Sequence, residues 1–528
     1  MLGEGWRKAG SQRPRWLEAT DVPTTRPFRW RPPSPRHSFQ RPQQSLPIKS
    51  FPQVFALCIT VLWPCLAAGA TAQRAPRNVI LILSDDHRYD FMGFMPGAPA
   101  FLETPSLDRM RAGGAHVANA FVTTALCSPS RASIFTGRYA HRHGVVDNTT
   151  PVPAGTVFFP SLLQQSGWRT AYVGKWHMGE DSDSPRPGFD RWVSFRGQGT
   201  YENPVLNVDG TRREYRGYTT DVLTAQALEW LAAVSADTTR PFFLVLSHKA
   251  VHAEFIPAPR HRGRYATAPI AYPATMPLAA ADSAWPLWVQ AQRNSWHGVD
   301  FMYHGAMQFD DFYRRYAETL LALDEGVGRV LDLLEERRLD RRTLVLYMGD
   351  NGFSLGEHGL IDKRHAYEES MRVPMLAWAP GYIEAGSTVF AMVRNIDIAP
   401  TILDLAGVAP PAGTDGRSVL PLFRGEAATW ETELLYEYYW EDAFPQTPTV
   451  FALRDDRYKY IYYHGVWDRP ELFDLRSDPE ERRNIAADST QAERVARMRA
   501  RLFRKLGESG GMQIPLRRPT GWRAAERR

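Results

Sequence analysis

Four stretches of this chain are uninterrupted apolar runs rich in β-branched residues, and each stops abruptly in a polar cluster. "NVILILSDDHRYD" runs into Asp85 and Asp86, "TAYVGKWHMG" into Lys175 and His177, "PFFLVLSHKAVH" into His248 and His252, and "TLVLYMGDNG" into Asp350 and Asn351. A strand that is apolar on both faces has to be covered on both, the condition of a mostly parallel α/β sheet with helices on either side. In such a sheet the ligand crevice lies beyond the carboxyl ends of the strands. The four polar clusters are therefore expected to converge on one edge. The cover is legible as well. In "FYRRYAETLLALDEGVGRVLDLLEERRLD" the residues Tyr316, Leu320, Leu323, Val327, Val330 and Leu334 recur at helical spacing, predicting an amphipathic crossover helix that leads into the "TLVLYMGDNG" strand.

From about residue 431 the texture changes to short, aromatic, alternating segments, "ELLYEYYW", "FALRDDRYKYIYYH" and "ELFDLRSDPEERRN", followed by a helical pattern near residues 490–507. These predict a smaller carboxyl-terminal subdomain, residues 431–516, built on antiparallel strands. The large α/β domain then spans residues 74–430, and residues 517–528 form a basic tail.

The formal charge of +5 does not belong to the folded body. Residues 1–50 carry ten Lys and Arg against three Asp and Glu, which leaves 53 basic and 55 acidic residues for the rest. Nucleic-acid binding therefore has no support in the charge balance. Residues 1–50, rich in Arg, Pro, Trp and Ser, read as a disordered leader or an over-long start. Residues 51–72 are an apolar run ending on Ala70-Thr71-Ala72, a secretory signal peptide. Its competing reading is a retained anchor of about 20 residues. Pro64 and the small-residue end favour cleavage, and so an exported protein, periplasmic or extracellular, without stable membrane insertion. Cys58 and Cys65 leave with that segment, so Cys127 remains alone and cannot serve an intramolecular disulfide.

Asp85, Asp86, Asp350 and Asn351 are hard oxygen donors, a set suited to Ca²⁺, or less well Mg²⁺, rather than to zinc. Arg131, Lys175, His177, His252 and Lys363 could together neutralise an anion and supply protons to a leaving group. A thiolate at the start of a helix, where "CSPSRASIFTG" places Cys127, is a possible nucleophile. Thiol chemistry alone does not explain a site made of hard-metal ligands and cations.

Cys127, Pro129, Ser130, Arg131, Thr136 and Gly137 form C-x-P-S-R-x-x-x-x-T-G, which resembles the signature of the type I sulfatases of the alkaline phosphatase superfamily. Between about Arg77 and Asn484 the chain is similar to that family in order, through "ETPSLDRM", "GKWHMG", "GDNGFSLGEHGLIDKRHAYEESMRVPMLAWAPG" and "NIDIAPTILDLAG". The resemblance implies an alkaline phosphatase-like fold, with a large mixed, mostly parallel sheet and a smaller carboxyl-terminal antiparallel one. It implies that Cys127 is converted to Cα-formylglycine by a formylglycine-generating enzyme acting on the unfolded chain. Asp85, Asp86, Asp350, Asn351 and the modified residue 127 would hold Ca²⁺, with Arg131 and Lys175 stabilising the hydrated aldehyde and the sulfate. His252 and Lys363 would hold the sulfate and protonate the departing alcohol, and His177 would take the proton whose loss expels sulfate.

One motif departs from the family: its A-P-H-T-P stands here as Ala250-Val251-His252-Ala253-Glu254. With His248 nearby, two histidines compete for one role, and His248 could instead line a sugar subsite or pack at the strand end. The "SHKAVH" and "NIDIAPTILDLAG" segments resemble most the members that act on sulfated glycosaminoglycan sugars, such as N-acetylglucosamine-6-sulfatases. Competing readings are a formylglycine-dependent phosphodiesterase or phosphonate monoester hydrolase, and a non-catalytic relative that binds sulfated glycans.

Overall fold

The computed structural model describes residues 75–179, 182–277, 285–426, 429–465 and 468–515. The leader, the signal segment and the tail expected from the sequence lie outside them. The central sheet has ten strands: β1 Asn78–Ser84, β2 Ala115–Phe121, β3 Arg169–Lys175, β4 Arg191–Phe195, β5 Val205–Val208, β6 Thr211–Glu214, β7 Phe242–Ser247, β8 Thr343–Gly349, β9 Met375–Trp378 and β10 Ser387–Arg394. Their order across the sheet is β10-β2-β9-β8-β1-β7-β3-β4-β5-β6. The pairs of β1 with β7 and β8, β3 with β7 and β4, and β2 with β10 are parallel; β9 runs against β2 and β8, and β5 against β4 and β6. This is the mixed, mostly parallel α/β sheet expected.

The four runs singled out in the sequence are β1, β3, β7 and β8, neighbours in the middle of the sheet. In β1, β7 and β8 every residue is buried, as a strand sandwiched on both faces requires. Alternate residues feed two cores. Ile80, Ile82, Leu244 and Leu246 pack with the helices Thr219–Val234 and Phe309–Glu336, the latter burying the predicted Tyr316, Leu320, Leu323, Val327, Val330 and Leu334. Val79, Leu81, Phe243 and Val245 pack on the opposite face, in one cluster with Ala132, Ile134 and Phe135 of the helix Cys127–Thr136. Among the described residues no helix is long and apolar enough to cross a membrane.

Strands β11 Leu434–Tyr438, β12 Thr449–Arg454, β13 Tyr458–His464 and β14 Glu471–Asp474 form a separate antiparallel sheet in that order. One face joins the core shared with the Cys127–Thr136 helix, through Leu434, Tyr436, Val450, Ala452 and Ile461. The other is covered by the helix Ala492–Ser509, whose Met498, Leu502 and Leu506 lie on Leu435, Leu453 and Leu472.

The end of β3 depends on a close approach to β7. Gly174 has φ 125°, and a Cβ there would stand 1.7 Å from the carbonyl oxygen of Ser247. Gly174→Ala should therefore destabilise the fold by about 3 kcal/mol or more, read as a lower denaturant midpoint. Gly507→Ala, in the last helix with nothing within 4 Å of the added Cβ, should leave that midpoint unchanged or raise stability by up to about 1 kcal/mol.

Candidate active site

Because β8, β1, β7 and β3 are consecutive in the sheet, the polar clusters that follow them lie side by side. The ladder continues past the strands. Asp350 N donates to Ser84 O at 2.9 Å, Asp85 N to Ala250 O at 2.9 Å, and Val251 N to Asp85 O at 2.8 Å. Asp86 and His177 then turn the chain through the left-handed region, with φ of 56° and 47°. Aspartate and histidine are among the side chains that enter it most readily. The long helix fixes the first turn: Tyr316 Oη donates to Asp86 O at 2.7 Å and accepts from Arg88 N at 2.9 Å.

Carboxylate oxygens of Asp85, Asp86 and Asp350 come within 4.8 Å of one another, all three residues being buried. Burial and then the Asp85 charge push the Asp350 carboxyl up to about 7, against Arg131 and Lys175. Burial likewise raises Asp86, opposed by Lys363 and helped by Asp85. Burial also acts to raise Asp85, but Lys175, His252, Arg131 and Lys363 together hold it well below the usual carboxylate range. Asn351 Nδ2 donates to Asp86 Oδ1 at 2.6 Å and to Gly352 O at 2.8 Å, while its buried Oδ1 has no hydrogen-bond partner among the described residues. Three crowded carboxylates and an orphaned amide oxygen are an all-oxygen donor set, and they fit a divalent cation.

Cys127 opens a helix whose ten residues are all buried. Its Sγ lies 3.0 Å from Lys363 Nζ and 3.4 Å from Asp85 Oδ1. Burial and then the Asp85 charge push this thiol up to about 12, so the cysteine is not a thiolate at neutral pH. One turn on, Arg131 is a fully buried hub. Its Nε meets Asp350 Oδ2 at 2.9 Å, and its Nη1 donates to Lys175 O at 2.5 Å and Ser247 Oγ at 2.7 Å. Arg131 Nη2, 3.9 Å from Asp85 Oδ2, has no hydrogen-bond partner among the described residues. Lys175 Nζ bonds to Asp85 Oδ2 and, at 2.5 Å, to Gln198 Oε1; Lys363 Nζ bonds to Asp86 Oδ1.

Gln198 is a residue that the sequence reading did not single out, since it lies in a glycine-flanked loop after β4 with no periodicity to mark it. Its oxygen accepts from Lys175, so its Nε2, 3.1 Å from His177 Nε2, is the donor in that contact. Lys249, inside the quoted "SHKAVH", was also passed over. Burial and then the Lys175 charge lower it to about 8, and its Nζ stands 4.7 Å from the Tyr201 ring centroid. The two histidines separate clearly. His252 Nε2 lies 3.8 Å from Asp86 Oδ2, and its Nδ1 lies 2.5 Å from Ala253 O. Burial and then Lys175 hold this imidazole well below its usual value. His248 is buried elsewhere: its Nε2 is 3.8 Å from where a Cβ on Gly326 of the long helix would stand, with Thr224 alongside. Burial lowers it to about 4, with Asp221 as the charge that acts on it. The structure thus brings Asp85, Asp86, Cys127, Arg131, Lys175, His177, His252, Asp350, Asn351 and Lys363 to one edge of the sheet, and leaves His248 behind it.

Residues 77–408 match the family described as sulfatase, and residues 356–508 that described as N-sulphoglucosamine sulphohydrolase, C-terminal. An N-acetylglucosamine-6-O-sulfatase of Bacteroides thetaiotaomicron is 31% identical over 506 residues, covering 85% of this chain and 89% of the relative. Among solved structures, BT4656 in complex with its substrate D-glucosamine-2-N,6-O-disulfate superposes with a TM-score of 0.77 at 29% identity, over 84% of this chain and all of that one. The phosphonate monoester hydrolase SpPMH from Silicibacter pomeroyi gives 0.69 over 82% and 95% of the two chains, and at 24% identity it speaks for the fold alone. With the family match spanning most of the α/β domain and a relative 31% identical aligned over 85% of this chain, the protein belongs to the sulfatase family and is a sulfuric ester hydrolase.

Proposed function

We propose that this protein is an exported sulfatase that removes the 6-O-sulfate of glucosamine-type sugars in glycosaminoglycans. The observation that carries the reading is a pair of buried orphans beside the carboxylates: the acceptor Asn351 Oδ1, whose amide nitrogen bonds Asp86, and the donor Arg131 Nη2, 3.9 Å from Asp85 Oδ2. An unsatisfied buried polar atom costs about 1–3 kcal/mol. One orphan asks for a cation and the other for an anion, the two ligands a metal-assisted sulfatase needs together. The sugar rests on the names of the relative and of the substrate complex.

In this reading Asp85, Asp86, Asp350 and Asn351, with residue 127, would hold Ca²⁺, which would supply positive charge against the sulfate oxygens. An aldehyde at position 127, once hydrated, offers one hydroxyl for attack on sulfur and a second whose deprotonation lets sulfate leave by elimination. The remaining work falls to the chain. Arg131 and Lys175 hold the sulfate oxygens from below, and Lys363 and Lys249 add charge at the sides. His252 rests neutral because burial and the Lys175 cation disfavour its charged form, and its Nδ1 hydrogen is held by Ala253 O. An incoming anion reverses that balance, so Nε2 takes up a proton that it can pass to the leaving alcohol. Gln198, oriented by Lys175, keeps His177 Nε2 unprotonated and fit to act as the base. Because the whole Cys127–Thr136 helix is buried, the formylglycine-generating enzyme must meet Cys127 before the chain folds, which agrees with a signal segment at residues 51–72.

Mass spectrometry of the Cys127 peptide, from protein made with a formylglycine-generating enzyme, should show a loss of about 18 Da. Cys127→Ala should abolish turnover while leaving the unfolding midpoint near that of the parent. Fully active protein with an intact thiol would sink the mechanism, and aryl phosphonate esters cleaved faster than aryl sulfates would move the assignment to the phosphonate hydrolases.

Added Ca²⁺ should stabilise the intact chain by RT ln(1 + [L]/Kd), about 2.7 kcal/mol at a hundredfold excess over Kd, read as a higher thermal midpoint. Exhaustive chelation should reverse this and stop turnover, and Asp350→Ala should remove the Ca²⁺ response. A midpoint indifferent to both treatments would exclude a metal here.

His252→Ala should slow hydrolysis of sugar sulfates by about 100-fold or more, yet that of aryl sulfates with good leaving groups far less, since a phenolate leaves unaided. His248→Ala should instead cost about 2 kcal/mol of stability through the cavity left between helices, with the sugar-to-aryl ratio of kcat/KM unchanged. The opposite pattern in steady-state kinetics would assign the acid to His248.

A further inference from the structure

Next to the reaction centre lies a second concavity that the mechanism does not use. A pocket of about 360 Å³ is lined by Gln292, Ser295, Trp296, His297, Phe444 and Gln446, between the segment following the helix Leu287–Gln292 and the turn after β11. It shares a wall with the catalytic cations. His297 Nδ1 lies 3.2 Å from Asp362 Oδ1, and His297 O accepts from Ile361 N at 2.7 Å, so the pocket floor is the strand of chain that carries Lys363 to Cys127. Trp296 packs on Tyr303 with ring centroids 5.0 Å apart, and Tyr303 lies close enough to Asp86 and Lys363 for their charges to act on its phenol.

Three features describe the occupant. Trp296 is 42% exposed, so part of a large aromatic surface is open for contact. Gln292 is 2% exposed and its carboxamide oxygen has no partner among the described residues, an acceptor left for a hydroxyl or amide donor. Among the described residues the lining contains no Asp, Glu, Lys or Arg; Arg364, whose guanidinium carbon lies 3.5 Å from the Phe444 ring centroid beneath it, is already paired with Asp362 and Glu441. Ligand sites of about 300–1,000 Å³ that combine apolar faces with a few placed polar atoms are the usual small-molecule kind. Here the size and neutrality suit one uncharged pyranose.

We infer that this pocket is a subsite for an uncharged pyranose linked to the sulfated sugar, and that it directs the enzyme to glycans in which that neighbour is a neutral hexose rather than a uronate. The inference rests on the sulfatase reading and narrows its substrate. The apolar face of the hexose lies on Trp296, and a hydroxyl or amide hydrogen is donated to Gln292 Oε1. A uronate carboxylate at the same place meets no Lys or Arg among the described lining residues and loses its hydration without compensation.

The test uses the full chain carrying formylglycine and three substrates: 6-O-sulfo-N-acetylglucosamine alone, the same sugar linked to galactose, and the same sugar linked to glucuronate. The galactose disaccharide should have kcat/KM about tenfold above the monosaccharide, the scale of one aromatic contact. The glucuronate disaccharide should gain nothing. Trp296→Ala, a change at an exposed position, should collapse the disaccharide-to-monosaccharide ratio towards unity, chiefly through KM. Gln292→Met, similar in volume but without the acceptor, should lower that ratio severalfold. A ratio identical in parent and Trp296→Ala protein, or a preference for the glucuronate substrate, overturns the subsite while leaving the sulfatase reading intact. No turnover of any of the three, monosaccharide included, overturns the sulfatase reading and this inference with it.

Discussion

The structure turns on the buried contact of Arg131 with Asp350. Nε and Oδ2 stand 2.9 Å apart with neither side chain exposed. The same guanidinium bonds to the carbonyl of Lys175 and the hydroxyl of Ser247, so one side chain on the Cys127–Thr136 helix ties together the ends of β8, β3 and β7. Removing one partner of such a pair costs about 3–5 kcal/mol, because the other charge is left buried alone. Ser128 Oγ, which donates to His177 O, and Ser130 Oγ, which donates to Asp350 O, join this clasp in holding the helix start, and so residue 127, beside the carboxylates. The ladder bonds that extend past the strands then set Asp85 and Asp350 beside it.

Charge balance explains why so many ionised groups tolerate burial. Asp85, Asp86 and Asp350 are matched by Arg131, Lys175 and Lys363 in direct ion pairs, so the cluster is close to neutral by itself. A divalent cation would tilt it to a net positive charge, the state in which a sulfate ester is attracted and a departing sulfate dianion is not repelled. Burial is what raises the Asp350 and Asp86 carboxyls: at Asp350 the Asp85 charge adds to it, and at Asp86 the Lys363 cation opposes it more strongly than Asp85 adds to it.

Much of this was legible in the sequence, for a physical reason that also marks where legibility ends. Strands buried on both faces have no choice but to be continuously apolar, so the abrupt polar endings of β1, β3, β7 and β8 announced the site edge before any residue role was assigned. The helix Phe309–Glu336 was readable because a long crossover shows one apolar stripe. What failed to show were residues placed by turns. Alternation along β7 puts Leu244, Leu246 and then His248 towards the long helices, whereas His252 reaches the carboxylates because the chain doubles back to bond Asp85 on both sides. Spacing by four carries no such information. Gln198 and Lys249 were missed alike: their positions come from loop geometry, not from a period. Strand β9, only four residues long, owes its antiparallel place between β2 and β8 to its neighbours' open edges.

The carboxyl-terminal sheet helps to position the candidate site, because it braces the loop that carries Lys363. Lys363, its Nζ 3.0 Å from Cys127 Sγ, stands on a loop and not on a strand of the large sheet. Its neighbour Arg364 anchors that loop. With φ of 83°, in a region a side chain rarely enters, it is held by Asp362 Oδ1 at 2.7 Å, by Glu441 Oε1 at 2.5 Å, and over the Phe444 ring. Glu441 in turn accepts from Tyr438 of β11 at 3.1 Å, and Arg364 N bonds back to Ala125 O just ahead of the Cys127 helix. A strained residue persists only where its surroundings over-determine it. Here those surroundings are contributed by both sheets, so the position of Lys363 depends on the packing of the smaller sheet against the larger, and the same turn after β11 forms a wall of the neutral pocket beside it.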